Sequence, residues 1–253
     1  MVQFPVREEA RFRTILHRPE VGDAISYSDP DFAERAWELA FENLTDEEWD
    51  RLEQLFIGSA GSARGFTFLD PSCNLLAWSE GLDEDVWQNN GVGVTGGLPD
   101  PLGGNAGFAL TTGAGGGTLS QSIEAPAQYH YSGSIWARTA SSGVVVRVHD
   151  GQGVHASRAF EPDNLWRRYE VGYAGLGSGE SVHFEVSALG TAALDVFGPQ
   201  LEAQIATSAY KRSSPQGGVF SNARFDQQVL RDQLVGPQRH STKVRILWTP
   251  SLA

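Results

Sequence analysis

The stretch LDVFGPQLEAQIATSAYKR, residues 194–212, has the pattern of the end of a domain. A short apolar segment, LDVF, is stopped by a Gly-Pro pair, and a polar segment follows it. The chain nevertheless continues to residue 253. The organisation of the protein therefore depends on the structure that the residues after this stretch form.

The C-terminal residues are expected to be folded. In STKVRILW, residues 241–248, the large apolar residues Val244, Ile246 and Trp248 recur at every second position, which is the period of a β-strand. A strand with so large an apolar face needs a partner sheet. The chain after residue 212 therefore contributes a strand to some sheet.

Composition excludes several classes of function. The 253 residues are 40% hydrophobic and 20% charged, which is enough for one large or two modest globular domains. The formal net charge is -12, so the long-range field repels phosphate backbones and anionic lipids. We therefore expect no nucleic-acid partner and no membrane insertion. The single cysteine, Cys73, excludes an intramolecular disulfide.

The start of the chain bears on its localisation. MVQFPVREEARFR, residues 1–13, carries charges where a signal peptide has its apolar core. The sequence therefore predicts synthesis in the cytoplasm without a signal peptide.

The residues up to about Pro71 have a mixed pattern. In RAWELAF, residues 35–41, Trp37, Leu39 and Phe41 alternate with other residues, which predicts a half-buried strand. The aromatic segment GFTFLDP, residues 65–71, predicts a second short strand that ends at Asp-Pro.

A helix is predicted between these two strands. In LTDEEWDRLEQLFIG, residues 44–58, Thr45 and Glu48 have the spacing of a capping box. Trp49, Leu52 and Phe56 then fall on one helical face. Gly58, the last residue of the segment, is placed to end the helix.

From about residue 72 to residue 210 the pattern is that of β-structure alone. Glycine is dense, and short β-rich segments recur between turn signals, which predicts an antiparallel sandwich or barrel of the jelly-roll type. The segments are GTLSQSIEA (117–125), YHYSGSIWART (129–139), GVVVRVHD (143–150), LWRRYEVGY (165–173), SVHFEVSAL (181–189) and AALDVFG (192–198).

Two motifs in this region resemble cofactor-binding or metal-binding sites but are better explained as turns and strands. GVGVTG, residues 91–96, matches the dinucleotide pattern G-x-G-x-x-G, but GLPDP follows it, so no helix can start there to bind a pyrophosphate. His149 and His155 flank the turn HDGQGVH and either meet across a hairpin or are solvated. The six histidines are scattered without helical metal-ligand spacing. Nothing in the sequence argues positively for catalysis.

Aromatic residues supply candidate ligand contacts. In YHYSGSIWAR, residues 129–138, one strand face is expected to hold Tyr129, Tyr131 and Ile135. The other face would hold Ser132, Ser134, Trp136 and Arg138. Aromatic rings on an exposed sheet face are a common platform for sugar rings; the alternative is that these rings belong to the core. The candidate glycan-binding residues are Trp87, Tyr131, Trp136, Trp166 and Tyr173.

Residues 73–210 contain a series of distinctive segments in this order: NLLAWSE (74–80), Trp87, DPLGGNA (100–106), LSQSI (119–123), YSGSIWAR (131–138), LWRRYEV (165–171) and VFGPQLEAQIATSAY (196–210). In these segments and their order, the region resembles carbohydrate-binding-like jelly-roll modules that are common in phage tail and tail-fibre proteins. The resemblance implies a β-sandwich with adjacent chain ends and glycan binding. Some such modules hold a structural calcium, for which Glu80 and Asp195 are the candidate ligands; no cofactor is expected to be required.

The flanking residues resemble a different family. AWELAFENLTDEEWDRLEQLF (36–56), GFTFLDP (65–71) and GGVFSNARFDQQVL (217–230) are similar to the strand-helix-strand core of small tail-tip proteins of long-tailed phages and phage-like particles. The two resemblances imply an insertion, because a guest domain with adjacent termini is tolerated in an exposed host loop. The predicted domains are a tail-type domain from 1–72 and 211–253, and an inserted jelly roll from 73–210.

The predicted fold is mainly β with one clear helix: a discontinuous small α+β domain plus an inserted antiparallel β-sandwich. The resemblances imply a non-enzymatic structural protein of a tail tip or baseplate, located in a virion tail or phage-like particle. It would form a homo-oligomeric ring, contact other tail proteins, and use the jelly roll to contact host surface polysaccharide. Three alternatives stay open: a free carbohydrate-binding module of a glycan-processing system, a jelly roll that only acts as a spacer, and a glycoside hydrolase that uses Asp150, Glu161 or Glu185.

Overall fold

A computed structural model of the protein describes residues 3–138, 143–188 and 190–250. The chain divides into two compact units, one formed by Met1–Phe68 with Phe220–Ala253 and the other by Leu69–Val219. The described residues are mainly β with one helix, and the paired strands run antiparallel, so the predicted fold class is confirmed. The predicted junctions at residues 72 and 210 lie inside the second unit.

The elements alternate with short connections along the chain. In order they are β1 (Gln3–His17), β2 (Ile25–Leu44), α1 (Asp46–Gly58), β3 (Phe66–Leu69), β4 (Gln88–Asn90), β5 (Val92–Leu98), β6 (Gly107–Thr112), β7 (Gly117–Ile123), β8 (Tyr131–Arg138), β9 (Val144–His149), β10 (His155–Phe160), β11 (Arg167–Tyr173), β12 (Val182–Ala188), β13 (Ala192–Glu202), β14 (Val219–Phe225), β15 (Gln233–Gly236) and β16 (Arg239–Trp248).

The first unit is one sheet with α1 packed on it. The strands lie in the order β1-β2-β16-β14-β3, and β15 pairs with β16. The side chains that alternate in the two predicted strands meet here: Trp37 and Leu39 from β2 pack with Val244 and Ile246 from β16. Because β2 and β16 are neighbours, the two ends of the chain build a single core.

The helix begins as its sequence predicts. The side chain of Thr45 accepts a hydrogen bond from the Glu48 N–H, and the Glu48 carboxylate accepts one from the Thr45 N–H. Trp49 is buried, and Phe56 meets Phe225 of β14 edge-on. The capping box and the apolar face therefore hold α1 against the sheet.

The second unit is a jelly roll. Its two sheets have the orders β10-β9-β12-β7-β4 and β11-β8-β13-β6-β5. Successive strands from β6 to β13 follow the double Greek-key path of a jelly roll, in which β13 returns between β6 and β8, and β12 returns between β7 and β9. We name these the histidine sheet (β10-β9-β12-β7-β4) and the strap sheet (β11-β8-β13-β6-β5).

The core of the second unit lies between these two sheets. Along β9 and β12 every second residue is buried, so Val146 and Phe184 face the strap sheet while their neighbours in sequence point to the other side. From the strap sheet, Ile135 and Val196 fill the same core. In a sandwich, inward-facing and outward-facing residues alternate along the strands of both sheets, and the inward-facing residues pack together as the core.

The segments that enter and leave the second unit lie side by side. The Asp70 N–H donates to the Gly218 carbonyl, and the Gly218 N–H donates to the Asn74 carbonyl. The buried side chain of Asn74 donates to the Pro199 carbonyl and accepts from the Leu201 N–H. Adjacent ends are the geometry that allows a domain to sit within a loop of another.

None of the helices in the described ranges is both long enough and apolar enough to cross a membrane.

Candidate functional site

Three of the five predicted glycan contacts are core residues. Trp87 is 4% exposed, Tyr131 0% and Tyr173 2%, and all three pack in the core between the two sheets. Burial raises the pKa of Tyr131 well above its usual range, and its hydroxyl donates to the Pro126 carbonyl. The prediction is corrected for these residues, because a ring enclosed by protein offers no face to a sugar.

The other two aromatic candidates are partly exposed on the outer face of the strap sheet. Trp136 lies on β8 and Trp166 just before β11, where the Arg138 guanidinium lies 4.6 Å from the centre of the Trp166 ring. The Trp136 indole N–H is enclosed and has no hydrogen-bond partner in the described chain. The structure therefore does not bring the predicted aromatic residues together as one platform.

Part of this outer face is covered by the chain itself. Residues 203–214, which we name the strap, follow β13. Tyr210 packs on Phe197, and Ser208 and Lys211 hydrogen-bond to the Glu202 carboxylate. Burial would raise the pKa of Glu202, but hydrogen bonds from Lys211 and Ser208 hold it below the usual value. The strap explains why Ser132, Ser134 and Gln200 are buried although they point away from the core.

The two candidate calcium ligands each have an arginine partner. The Glu80 carboxylate lies 3.0 Å from Arg212 and accepts from the Tyr210 hydroxyl. The Asp195 carboxylate lies 2.9 Å from Arg138. Among the described residues, neither belongs to a group of three side chains spaced to hold a metal ion. A calcium ion at either position stays a prediction.

The outer face of the histidine sheet has a different character. Strand register places His155, His149 and His183 in one row across β10, β9 and β12. The next row contains Arg147 and Glu185, which lie opposite each other. These side chains point outward because their sequence neighbours fill the core.

A cavity of about 360 Å³ opens on this face beside the β9–β10 turn. We name it the hairpin pocket. The Arg147 Nη1 atom donates to the Glu185 carboxylate at 2.9 Å, and the Ser187 hydroxyl donates to the same oxygen at 2.9 Å. The residues that line the hairpin pocket are Arg147, His149, Gly151, Gly153, His155 and Glu185.

Contacts with backbone groups of the β9–β10 turn determine the tautomers of two histidines. The Gly151 N–H donates to His149 Nδ1 at 3.1 Å, so in neutral His149 the proton is on Nε2. His155 Nδ1 lies 3.2 Å from the Gly153 carbonyl, which can only accept, so the Nε2 of neutral His155 is an acceptor. The pocket thus presents an imidazole donor and an imidazole acceptor on adjacent strands.

The His149 ring is held in its neutral form. Burial and the stacked His183 ring, at 4.7 Å and 7°, lower the pKa of His149, Glu185 opposes this shift, and Arg147 adds to it. Neutral His149 therefore keeps the Gly151 hydrogen bond, which a protonated ring would lose.

The arrangement suits recognition of hydroxyl groups. Each hydroxyl donates one hydrogen bond and accepts others, and the pocket offers both roles: Arg147 and His149 donate, while His155 and Glu185 accept. The sequence left open whether His149 and His155 meet across the hairpin. It gave no reason to place His183 on this face, and it offered Glu185 only as a candidate hydrolytic carboxylate, so it missed that both residues belong to the site. The missed signal was their alternation with Val182, Phe184 and Val186 in SVHFEVSAL, which marks them as outward-facing.

No family model matches the chain, and no curated protein matches it. Among solved structures, the enzymatically active domain of bacteriophage CBA120 tailspike protein 4 is 16% identical over 53% of this chain, with a TM-score of 0.44. The match spans only 22% of that tailspike chain.

Two carbohydrate-binding modules also resemble part of the chain. TmCBM61, solved with β-1,4-galactotriose, is 19% identical over 53% of this chain and all of its own (100%), with a TM-score of 0.42. The CBM22-1 xylan-binding domain of Paenibacillus barcinonensis Xyn10C is 13% identical over 58% of this chain and 98% of its own, with a TM-score of 0.40. At TM-scores below 0.5, these likenesses establish neither the fold nor the function of this chain.

Proposed function

We propose that the jelly-roll unit binds polysaccharide through the hairpin pocket and the adjoining outer face of the histidine sheet. The observation that carries the proposal is the pairing of donors and acceptors around the pocket: the turn backbone fixes the His149 and His155 tautomers, and Glu185 is held by Arg147. Such preset polar groups recognise hydroxyls without a large cost of ordering.

The rest of this face extends the pocket. Ser157 continues the Arg147 row on β10, and Ser120 continues it on β7. A cavity of about 360 Å³ lies at the lower end of the size range of ligand sites, and a row of short polar side chains beside it suits a chain of sugars better than a single small molecule. Without an aromatic platform, we expect weak affinity per site, which several linked copies would multiply.

Calorimetric titration of the full chain with a panel of soluble neutral and acidic polysaccharides tests the proposal. Replacing His155, an exposed pocket residue, by alanine should weaken binding by about tenfold, because one hydrogen bond to a sugar is lost. Trp166→Ala on the strap sheet is the matched control and should leave the affinity unchanged. Equal loss in both variants, or binding to no polysaccharide at all, would contradict the proposal.

A second candidate is a structural role in a phage or phage-like tail tip or baseplate, and a feature of the first unit favours it. β16 pairs with β2 from Arg35 onward, so in the described chain residues 25–34 of β2 and their β1 partners form a two-stranded ribbon. Phe12, Ile15 and Tyr27 on this ribbon are more than 60% exposed. Isolated two-stranded ribbons are marginally stable in water, so a partner strand would stabilise this one.

We propose a second copy of the chain as that partner, in a ring within a virion tail or phage-like particle that also contacts other tail proteins. Native mass spectrometry should then give a single closed oligomer. Ile15→Ser with Tyr27→Ser should reduce it to monomers, whereas Leu234→Ser, an equally exposed change on β15 of the same unit, should not. A monomeric wild-type chain would count against the ring.

In both roles the protein binds without cleaving, and no cofactor is required. Of the carboxylates considered for hydrolysis, Asp150 is 2% exposed and accepts hydrogen bonds from the Gln152 and Val154 N–H groups. Glu185 is neutralised by Arg147. Turnover of any bound polysaccharide would contradict this part of the proposal, and thermal melting with calcium or with a chelator checks the calcium prediction at Glu80 and Asp195.

A further inference from the structure

We propose that the hairpin pocket takes a carboxylated polysaccharide, one whose sugar rings carry both hydroxyls and a carboxylate, and that it binds this ligand more tightly as the pH falls. The inference rests on the proposed polysaccharide-binding function and adds the class of ligand and its regulation.

The local charge of the pocket differs from that of the chain. The whole chain has a formal net charge of -12, yet the pocket lining contains one arginine, two histidines and a single carboxylate. That carboxylate, Glu185, already accepts from Arg147 and from the Ser187 hydroxyl. The pocket is therefore close to neutral when the imidazoles are neutral and positive when one of them is protonated.

Arg147 has hydrogen-bonding capacity that Glu185 does not use. Its Nε–H is enclosed and has no hydrogen-bond partner in the described chain, while its side chain remains 39% exposed. An unsatisfied buried donor is costly. A small rotation of the guanidinium would bring the Nε edge to a ligand carboxylate, which forms strong paired hydrogen bonds with arginine.

The pH response follows from the row of imidazoles. Burial, the stacked His183 ring on β12 and Arg147 on β9 lower the pKa of His149, and its Nδ1 already accepts the Gly151 N–H, so His149 resists protonation. Glu185 and Asp150 act in the opposite direction. On β10, His155 Nδ1 already faces the Gly153 carbonyl, so protonation of this ring adds an Nε2–H donor and a positive charge where the ligand would lie.

The test compares ligands that differ either in charge or in their hydroxyl groups. Polygalacturonate, its methyl-esterified form and polyglutamate are titrated into the full chain at about pH 5.5 and about pH 7.5, where the ligand carboxylates stay ionised and imidazole changes charge. We expect polygalacturonate to bind about tenfold more tightly at the lower pH, and the esterified form to bind weakly with no pH response.

Two variants give outcomes that misfolding would not produce. Glu185→Gln removes the one negative charge of the pocket, so it should tighten polygalacturonate binding several-fold while weakening binding of the esterified form. His155→Gln should abolish the pH response, so that polygalacturonate binds with the same affinity at about pH 5.5 and about pH 7.5. Arg167→Gln, an exposed arginine on the strap sheet, is the control and should alter neither.

The outcomes separate this inference from the proposed function. Tighter binding of the esterified form, or a pH response that survives in His155→Gln, would overturn the inference and leave polysaccharide binding intact. Equal binding of polyglutamate would overturn it as well, because hydroxyls would then contribute nothing. Binding to no polysaccharide would overturn both.

Discussion

The two units of this protein differ in the size and the composition of the hydrophobic cores that stabilise them. Among the described residues, the core of the second unit holds 26 buried apolar residues from one continuous segment, and that of the first unit holds 8. Half of the small core is aromatic: Trp37, Phe68, Phe220 and Phe225. A large core forms from a segment by itself, whereas a small one depends on a few rings contributed by distant parts of the chain.

The largest effect is expected when the chain is shortened to end at Val219, which tests the contrast between the two cores. The shortened chain lacks most of β14 and all of β16, and with them Phe220, Phe225, Val244 and Ile246 from the small core. We expect the first unit to unfold and the jelly roll to melt as in the full chain, measured by differential scanning calorimetry and hydrogen exchange. If the first unit kept its exchange protection, the two units would not differ as argued.

Asn74→Ala tests the second unit alone. It removes hydrogen bonds to the Pro199 carbonyl and from the Leu201 N–H inside the unit, and leaves both groups buried without partners. We expect a loss of about 3 kcal/mol, the cost of orphaning two or more buried groups, in the jelly-roll transition measured by urea unfolding. Asn89→Ala on the exposed strand β4 is the control and should change stability by less than about 0.5 kcal/mol. An equal loss in the first unit would break the contrast.

Thr45→Ala is the corresponding change in the first unit. It removes the helix cap and its hydrogen bond from the Glu48 N–H, which should cost about 1 kcal/mol. The loss should appear in the transition of the first unit only. Glu53→Ala, an exposed change in the same helix, should have little effect. A loss in the jelly-roll transition instead would show that the units do not unfold independently.

The smallest expected effect is a pH dependence of opposite sign in the two units. In the first unit, hydrogen bonds to Asp232 and Asp46 raise the pKa of His240 above 6.5. Its contribution is therefore complete below pH 6.5 and is lost as the pH rises through the raised pKa. In the second unit, burial and His183 lower the pKa of His149, so its contribution is present above pH 6.5 and is lost as the pH falls through the lowered pKa.

Melting temperatures of the two transitions, followed from acid to mildly alkaline pH, check these signs. His240→Gln should flatten the pH dependence of the first transition, and His149→Gln that of the second. A pH dependence that moved both transitions in the same direction and survived these changes would come from other groups.

Local patterns in the sequence predicted much of the fold. The capping box at Thr45 and Glu48 and the alternation in β2 and β16 each describe one element and its apolar face, and the structure confirms them. The strand β5 was not predicted, because VGVTGGL has too few side chains to alternate. The GVGVTG motif lies at the start of β5 and pairs with β6, and the segment that follows it is not a helix, as the sequence predicts.

The candidate site was predicted less well. Tyr131 and Ile135 of YHYSGSIWAR face the core as expected, whereas Tyr129, which was expected on the same face, precedes β8 and is 56% exposed. Sequence could not tell that the opposite face, with Ser132 and Ser134, is covered by the strap. Three of the five aromatic candidates proved to be core residues. Aromatic content could not show this, because tryptophan and tyrosine fill cores as readily as they form binding platforms.

By itself, the sequence determined where the helix begins, which segments form many of the strands, and which face of β2 and β16 is apolar, because these depend on the spacing of neighbouring residues. Only the tertiary structure decided that His155, His149 and His183 form one row and that the strap covers the opposite sheet. The register between strands far apart in the chain is set by packing of the whole core, which no local pattern records. The stretch LDVFGPQLEAQIATSAYKR accordingly ends a strand, and its second half becomes the strap that leaves the histidine sheet as the open face.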